Sequence, residues 1–510
     1  MFKRQLPIII SLAVLSIIII PYLFASQMNG AQSVFGGFLI NPVDGHSYLA
    51  KMRQGLMGEW RFVLPYTAES GAGAYLFLFY LTLGHIARIL HIPLLFMFHG
   101  IRLAGAVFLL WVLYKFNNWI FADKQLQNLG FAISALGSGL GWLAVLTGKF
   151  TSDFWVAEAY PFLSMYSNPH FTIGLALMIL ALMPGRDHHP GWDLLLGLAT
   201  GIIQPFAVVI VIVIKTTVMI IEHIFDHKSL KAIVQSSNLL PVLMYSVGGG
   251  SILAYQYWSI LSDPVLSLWN GQNVTPSPGF LDLFLSLSPC LIFAVVGVPA
   301  AWKDEKGKVL VIWAGLSLIL AAVPWNLQRR FLTGIFLPIA GLAIFGLYQL
   351  KRLRGVAIRS GFLVLFILAL PTNIIVVYSG LQAASNQDLS IYFPGDIQEA
   401  LSWVRNNSEE KSLILAKEEI GLLIPSITGR RVIYGHPFET ANAESEREFL
   451  QSFFVDDQEP DYYDHTLVER NVDILFVSGK ISSGLKLWIE DNDLIPDFTN
   501  NGVQVYQLSD

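Results

Sequence analysis

From residue 7 to residue 380 the chain passes through one apolar stretch after another, each long enough or nearly long enough to cross a bilayer as helix. Crossing ~30 Å of hydrocarbon takes about 20 apolar residues. Such stretches read at 7–25, 94–114, 128–147, 170–184, 191–204, 205–222, 237–261, 281–301, 308–325, 331–349 and 360–380, eleven in all. The pair 191–222 is divided at Gln204-Pro205, because proline lacks an amide hydrogen and disfavours helix before it. The expected fold class is a polytopic α-helical membrane protein.

Loop charge gives the expected orientation. With the N-terminus inside, the inner loops carry Lys3/Arg4, Lys115/Lys124, Arg186, Lys228/Lys231, Lys303/Lys306/Lys308 and Lys351/Arg352/Arg354/Arg359. Short cytoplasmic loops are rich in Lys and Arg, so this parity fits. The segment 74–92 is read as an interfacial helix rather than a span, since counting it would reverse every later loop; His85, Arg88 and His91 suit an interface. The first stretch is expected to stay as an uncleaved span, because 26–30 is a poor cleavage site.

Charge divides the chain in two. Residues 381–510 hold 9 Lys/Arg and 23 Asp/Glu, whereas 1–380 is sparse in charge and basic. The expected domains are a membrane domain at 1–384, with a first outer loop at 26–93 bearing surface helices, and a soluble extracytoplasmic α/β domain at 385–510. In the latter, helices are expected at DIQEALSWVRNN, EEIGLLI, 444–454 and near 461–470. Strands are expected at 412–416, 430–435, 473–478 and 503–508. Strands alternating with helices read as α/β. No Gly-rich phosphate loop opens a helix and no basic patch suits nucleic acid. The single cysteine, Cys290, excludes an internal disulfide and reads as a buried thiol.

The first outer loop is the densest in chemistry. Asp44 opens an expected helix in which Tyr48, Leu49, Met52 and Leu56 form one stripe, with Lys51, Arg53 and Gln54 on the others. This reads as an amphipathic helix on the outer membrane face. An Asp before a helix is also an ordinary N-cap, and the two readings coexist. An acidic residue just after the first span, then Tyr, Gly-x-Trp and Pro (Asp44, Tyr48, Gly58, Trp60, Pro65), resembles the opening of the GT-C glycosyltransferases, including the bacterial aminoarabinose transferases and the protein O-mannosyltransferases. In place of an acidic-x-Tyr-Tyr run this chain has Asp-Gly-His-Ser-Tyr, and in place of Lys-Pro-Pro it has Thr67-Ala68-Glu69-Ser70.

The resemblance implies transfer of a sugar from a polyprenyl-phosphate donor to a glycan, lipid or protein acceptor outside the membrane, with Asp44 as the acceptor-activating base. It implies His46 and Tyr48 beside the substrate, and a second acidic residue, Glu158 or Asp153, in the loop 148–169. An interfacial loop explains those two acids as well. His170, after Asn168-Pro169, is a polar group at a span's outer end. Arg329 and Arg330, with Gln328, lie on the outer side against the charge trend; they suit a departing lipid phosphate or headgroup anchoring. Arg102 is expected to pair with an outer-loop carboxylate or snorkel, and Lys215 to snorkel inward.

His188/His189 are isolated, so no metal site is assigned there and a divalent metal is left open. Gly435–Thr440 reads as a turn with a packed His, or as a ligand loop. Asn273-Val-Thr matches a glycosylation sequon. Two other functions stay open: a transport or non-catalytic protein for lipid-linked saccharides, and a surface-polysaccharide ligase or polymerase.

Overall fold

The computed structural model describes residues 2–30, 32–183, 189–225, 239–354 and 357–508. Arg186, His188, Lys228 and Lys231 lie outside them. The chain divides into two compact units that interleave in sequence. One comprises Met1–Phe24, His99–Tyr255 and Thr275–Gln382; the other comprises Ala25–Phe98, Gln256–Val274 and Ala383–Asp510.

The first unit is helical. Among the described residues each of the eleven apolar stretches is largely helical, with 128–147, 281–301 and 360–380 each broken into two helices. Among the described residues six helical runs are long and apolar enough to cross a membrane: Gln5–Gln27, Leu94–Ile120, Lys124–Val145, Pro205–Glu222, Gln328–Lys351 and Ile358–Ser385. A seventh arises if Phe280–Leu287 and Cys290–Ala301, bent by 81°, count as one span. Pro169–Leu182 and Pro190–Ile203 have 14 residues each, or ~21 Å of rise, short of the ~30 Å core. The helix break expected before Pro205 falls at Gln204.

Buried charge here departs from expectation. Arg102 is 1% exposed and does not snorkel. It donates to the carbonyls of Ile18, Met165 and Tyr166 and lies 4.2 Å from the Tyr22 ring centroid. Lys215 pairs with Asp193 at 3.0 Å instead of reaching for an interface. In both cases a nearby partner satisfies the buried charge at less cost than stretching to water.

In the second unit, among the described residues, a five-stranded sheet has the order β4-β3-β5-β7-β6: β3 Leu413–Leu415, β4 Arg431–Val432, β5 Ile474–Ser478, β6 Phe498–Asn500, β7 Val503–Gln507. β3 runs parallel to β4 and β5, and β7 antiparallel to β5 and β6. Alternation along the strands feeds two cores. Ile414, Ile474, Phe476 and Val505 pack on the helix Gly395–Asn407 through Ile397, Leu401 and Val404. Leu413, Leu415, Leu475 and Val477 pack on Leu450, Phe453, Tyr463 and Trp488 from the other side. Burial on both faces explains the unbroken apolar runs LILA and ILFV. The expected strands and the expected helices, found at Gly395–Asn407, Glu418–Thr428, Ala443–Phe454 and Pro460–Glu469, are all present. The helix Ser483–Asp491 and strand β6 were not anticipated.

The first loop is built into this unit. β1 (Ser33–Phe35) pairs antiparallel with β2 (Tyr392–Pro394). Ala50 and Tyr66 join the sheet's core, and Val432 donates to the Pro65 carbonyl at 3.1 Å. The helix Pro42–Met57 packs on Leu78–Leu90 so closely that a Cβ at Gly84 would lie 2.0 Å from the Met52 oxygen, and one at Gly55 2.1 Å from the Leu81 oxygen. Gly84→Ala is therefore expected to destabilise the protein by about 1–3 kcal/mol. Gly100→Ala, where no atom lies within 4 Å, is the control. Thermal unfolding of the purified chain checks this; equal melting temperatures for the two variants would contradict it.

Candidate active site

The Pro42–Met57 helix begins one turn earlier than Asp44 suggested. Asn41 takes the left-handed conformation (φ 48°), Pro42 occupies the first turn, and Gly58 (φ 111°) closes the helix with its N–H on Gln54 and Gly55 oxygens. Asp44 is therefore not the N-cap. It stands within the first turn, where the aligned peptide dipoles favour a carboxylate. Nor does the helix present a polar face to water: Lys51 and Gln54, expected on exposed stripes, are buried.

Gln54 bonds to the Val63 backbone, whereas Lys51 is met by the loop Gly435–Thr440 through Glu439. Asp44, Ser47 and Lys51 are spaced i, i+3, i+7, so they share one helix stripe. His436 and Glu439 meet that stripe in order. His436 Nε2 lies 3.6 Å from Asp44 Oδ1. Glu439 Oε1 accepts from Ser47 Oγ at 2.5 Å and from Lys51 Nζ at 2.5 Å, and Lys51 also donates to Ser47 Oγ at 2.6 Å. The Lys51 ammonium is wholly buried, 4.5 Å from the Phe77 ring centroid and 5.5 Å from those of Phe62 and Tyr48. Burial raises the Glu439 pKa, but Lys51, His436 and the hydrogen bonds from Lys51 and Ser47 outweigh it and hold the carboxyl below its usual range. Gln272 steadies the loop by donating to the Thr440 carbonyl and accepting from Asn442 N–H at 3.0 Å. Asp44 itself keeps 46% of its side chain exposed.

The other expected residues of this unit contact neighbouring side chains. His46 is buried 3.2 Å from Ser426 Oγ, and desolvation lowers its pKa to about 4. Tyr48 stacks on Tyr80 with centroids 4.6 Å apart. Trp60 stacks on His85 at 3.9 Å.

In the helical unit, Glu158 meets Arg330 at 3.0 Å and Arg329 at 4.0 Å. Both arginines sit in the 3₁₀ turn Gln328–Leu332. The Glu158 carbonyl accepts from Gly334 N–H at 2.9 Å, which fixes the turn beside it. The Arg329 guanidinium lies 4.8 Å from the Trp155 ring centroid. Asp153 has a different environment. Fully buried, it accepts from the amides of Gly139 and Gly141 at 3.1 Å and from Thr151 Oγ1 at 2.6 Å. Burial pushes its pKa up in spite of these bonds. Gln328 accepts from Ser277 N–H and donates to the Val323 carbonyl, joining two loops. The His170 ring lies 4.0 Å from that of Phe171. His189 caps Gly191 N–H. Among the described residues no three His, Cys, Asp or Glu side chains gather at metal-site spacing, so the divalent metal left open by the sequence gains no donor set here.

No sequence family and no curated protein matches the chain. Solved structures do. The apo oligosaccharyltransferase of Archaeoglobus fulgidus aligns over 93% of this chain and 69% of its own, with TM-score 0.57 and 13% identity. The same organism's oligosaccharyltransferase AglB, in complex with an inhibitory peptide and a dolichol-phosphate, aligns over 91% and 69%, with TM-score 0.50 and 12% identity. ArnT from Cupriavidus metallidurans, bound to undecaprenyl phosphate, covers 97% of both chains at TM-score 0.49 and 10% identity. The chain shares the fold of these oligosaccharyltransferase structures. The sequence singled out Asp44 as a candidate but not His436, Glu439 or Lys51, which the structure brings to the same helix stripe. His436 and Glu439 lay in a loop noticed only for its Gly and Pro. Lys51 was placed only on a polar stripe of the helix, because nothing local announces a partner 388 residues away.

The low pKa of His46 has a consequence for stability. The unfolded ring takes a proton near pH 6.5 and the folded ring only near 4. Between these values the unfolded state binds the extra proton, so stability falls as pH drops through that window, by about 3 kcal/mol in total. Above pH 6.5 the contribution vanishes. His46→Gln is expected to flatten this limb when unfolding is measured from pH 7 to pH 4; parallel curves for variant and wild type would contradict it.

Proposed function

We propose that the chain is a membrane glycosyltransferase that moves a saccharide from a polyprenyl-phosphate carrier to an acceptor on the extracytoplasmic face, with Asp44 as general base. The observation that carries the reading is Asp44 itself. It is a half-exposed carboxylate in the first turn of a largely buried helix, after the first span, in a chain with the GT-C fold. A carboxylate held on a rigid helix with one side open has both the chemistry and the access that a base requires.

The step balances simply. The acceptor's lone pair forms a bond to the anomeric carbon while its O–H or N–H proton passes to Asp44. The bond from the anomeric carbon to the phosphate oxygen breaks, and its electron pair leaves on the lipid phosphate. Asp44 then returns the proton to water through its exposed side. The oligosaccharyltransferase that shares the fold holds a dolichol-phosphate in one structure, and the same class of carrier is proposed here. Arg329 and Arg330, fixed beside Glu158, are the proposed phosphate ligands, since guanidinium forks bind phosphate oxygens in pairs. Glu158 is the proposed second functional carboxylate and Asp153 a structural one. Eleven crossings with the N-terminus inside are proposed, on loop charge, with Asp44 and the acidic domain outside.

Transfer of labelled sugar from a panel of polyprenyl-phosphate sugars, by the purified full chain, tests the reading. Asp44→Asn is expected to fold normally and to lose about 10²–10⁴-fold in kcat/KM. Full activity in the variant removes Asp44 as the base. Absence of transfer by the wild type across the panel removes the transferase reading.

A further inference from the structure

The contact between Asp44 and His436 has a chemistry set by the turn that holds the ring. His436 is 2% exposed. Its Nδ1 accepts from the backbone N–H of Phe438 at 3.1 Å and of Glu439 at 3.2 Å. A ring nitrogen that accepts carries no hydrogen, so the neutral ring bears its hydrogen on Nε2. Nε2 is buried, has no hydrogen-bond partner at normal distance, and lies 3.6 Å from Asp44 Oδ1. The turn thus selects the tautomer, and the tautomer aims a donor at the carboxylate. Two further bonds hold the turn: the amides of Gly435 and His436 both donate to Thr440 Oγ1. Three residues on, Glu439 is bound to Lys51 and Ser47 of the helix that carries Asp44. Ring and carboxylate are therefore fixed from both sides.

We propose that His436 is a positioning residue for Asp44. Its Nε2–H is directed at one oxygen of a carboxylate whose side chain is 46% exposed, so the competence of the base is set by a loop of the sheet domain. This rests on the transferase reading of Asp44. Catalytic groups held off their productive geometry by about 1 Å lose about 100-fold in rate, which sets the scale of the effect.

Two substitutions separate the ring's two roles. In His436→Asn the side-chain oxygen replaces Nδ1 as acceptor for the Phe438 and Glu439 amides, but nothing reaches Asp44. In His436→Gln the side-chain nitrogen reaches the position of Nε2 and keeps the donor. The full chain is reconstituted in phospholipid vesicles and assayed with polyprenyl-phosphate sugars. His436→Asn is expected to lose about 100-fold in kcat with KM for the donor within about twofold and an unchanged melting temperature, and His436→Gln to retain most of the rate. Wild-type kcat in His436→Asn overturns the proposal. So do equal losses in both variants accompanied by a lower melting temperature, since the ring then only holds the turn.

A readout independent of turnover keeps the two readings apart. In the spectrum of ¹⁵N-histidine-labelled protein, His436 is expected as the Nε2–H tautomer, with a signal that moves on Asp44→Asn. If the wild type transfers no sugar but this signal moves, the transferase reading falls and His436 stands as the partner of Asp44. A signal indifferent to Asp44→Asn overturns the positioning role.

Discussion

A wholly buried ammonium, that of Lys51, constrains the site unit more than any other group. Removing such an ion from water costs several kcal/mol, and only close, well-directed partners offset it. Glu439 at 2.5 Å, Ser47 at 2.6 Å and the face of Phe77 supply them. Such a pair contributes little net stability compared with an apolar replacement, but it is unforgiving of misregister. Rotating the Pro42–Met57 helix by one residue would swing Lys51 about 100° away from Glu439. The same stripe carries Asp44, so whatever fixes Lys51 also fixes Asp44 against His436.

The three acidic side chains singled out in the sequence have three different environments. Asp153 is saturated by backbone amides and a threonine hydroxyl, the pattern of a carboxylate that shapes a loop. Glu158 faces guanidinium groups and fixes their direction. Asp44 stays open to water on one side while held by its helix on the other. Residue type and loop position were the same evidence for all three; only the surrounding donors distinguish them.

Much of the architecture was legible because it rests on local pattern. Apolar run length located the helices, Pro205 located a break, and short unbroken apolar runs such as Leu413-Ile414-Leu415 located buried strands. Of the candidate site, only Asp44 was singled out in the sequence, from its position after the first span. The rest depends on contacts between distant segments, which local periodicity cannot register. A lysine on a helix flank reads as solvated until Glu439 covers it, and Arg102 reads as needing a carboxylate until backbone carbonyls from two other segments converge on it. The start of the Pro42–Met57 helix was misjudged for a local reason: Asn41 adopts the left-handed conformation and lets Pro42 begin the helix before Asp44.

A double-mutant cycle over Lys51→Met and Glu439→Gln, read by both unfolding free energy and sugar transfer, tests the central claim most directly. If the pair locks the helix that presents Asp44, either single change leaves a buried polar partner unmatched and costs about 3–5 kcal/mol with a parallel loss of transfer. The double variant then recovers a large part of both, with a coupling of about 2–3 kcal/mol. Losses that add within about 0.5 kcal/mol, or transfer unchanged in Lys51→Met, would contradict it.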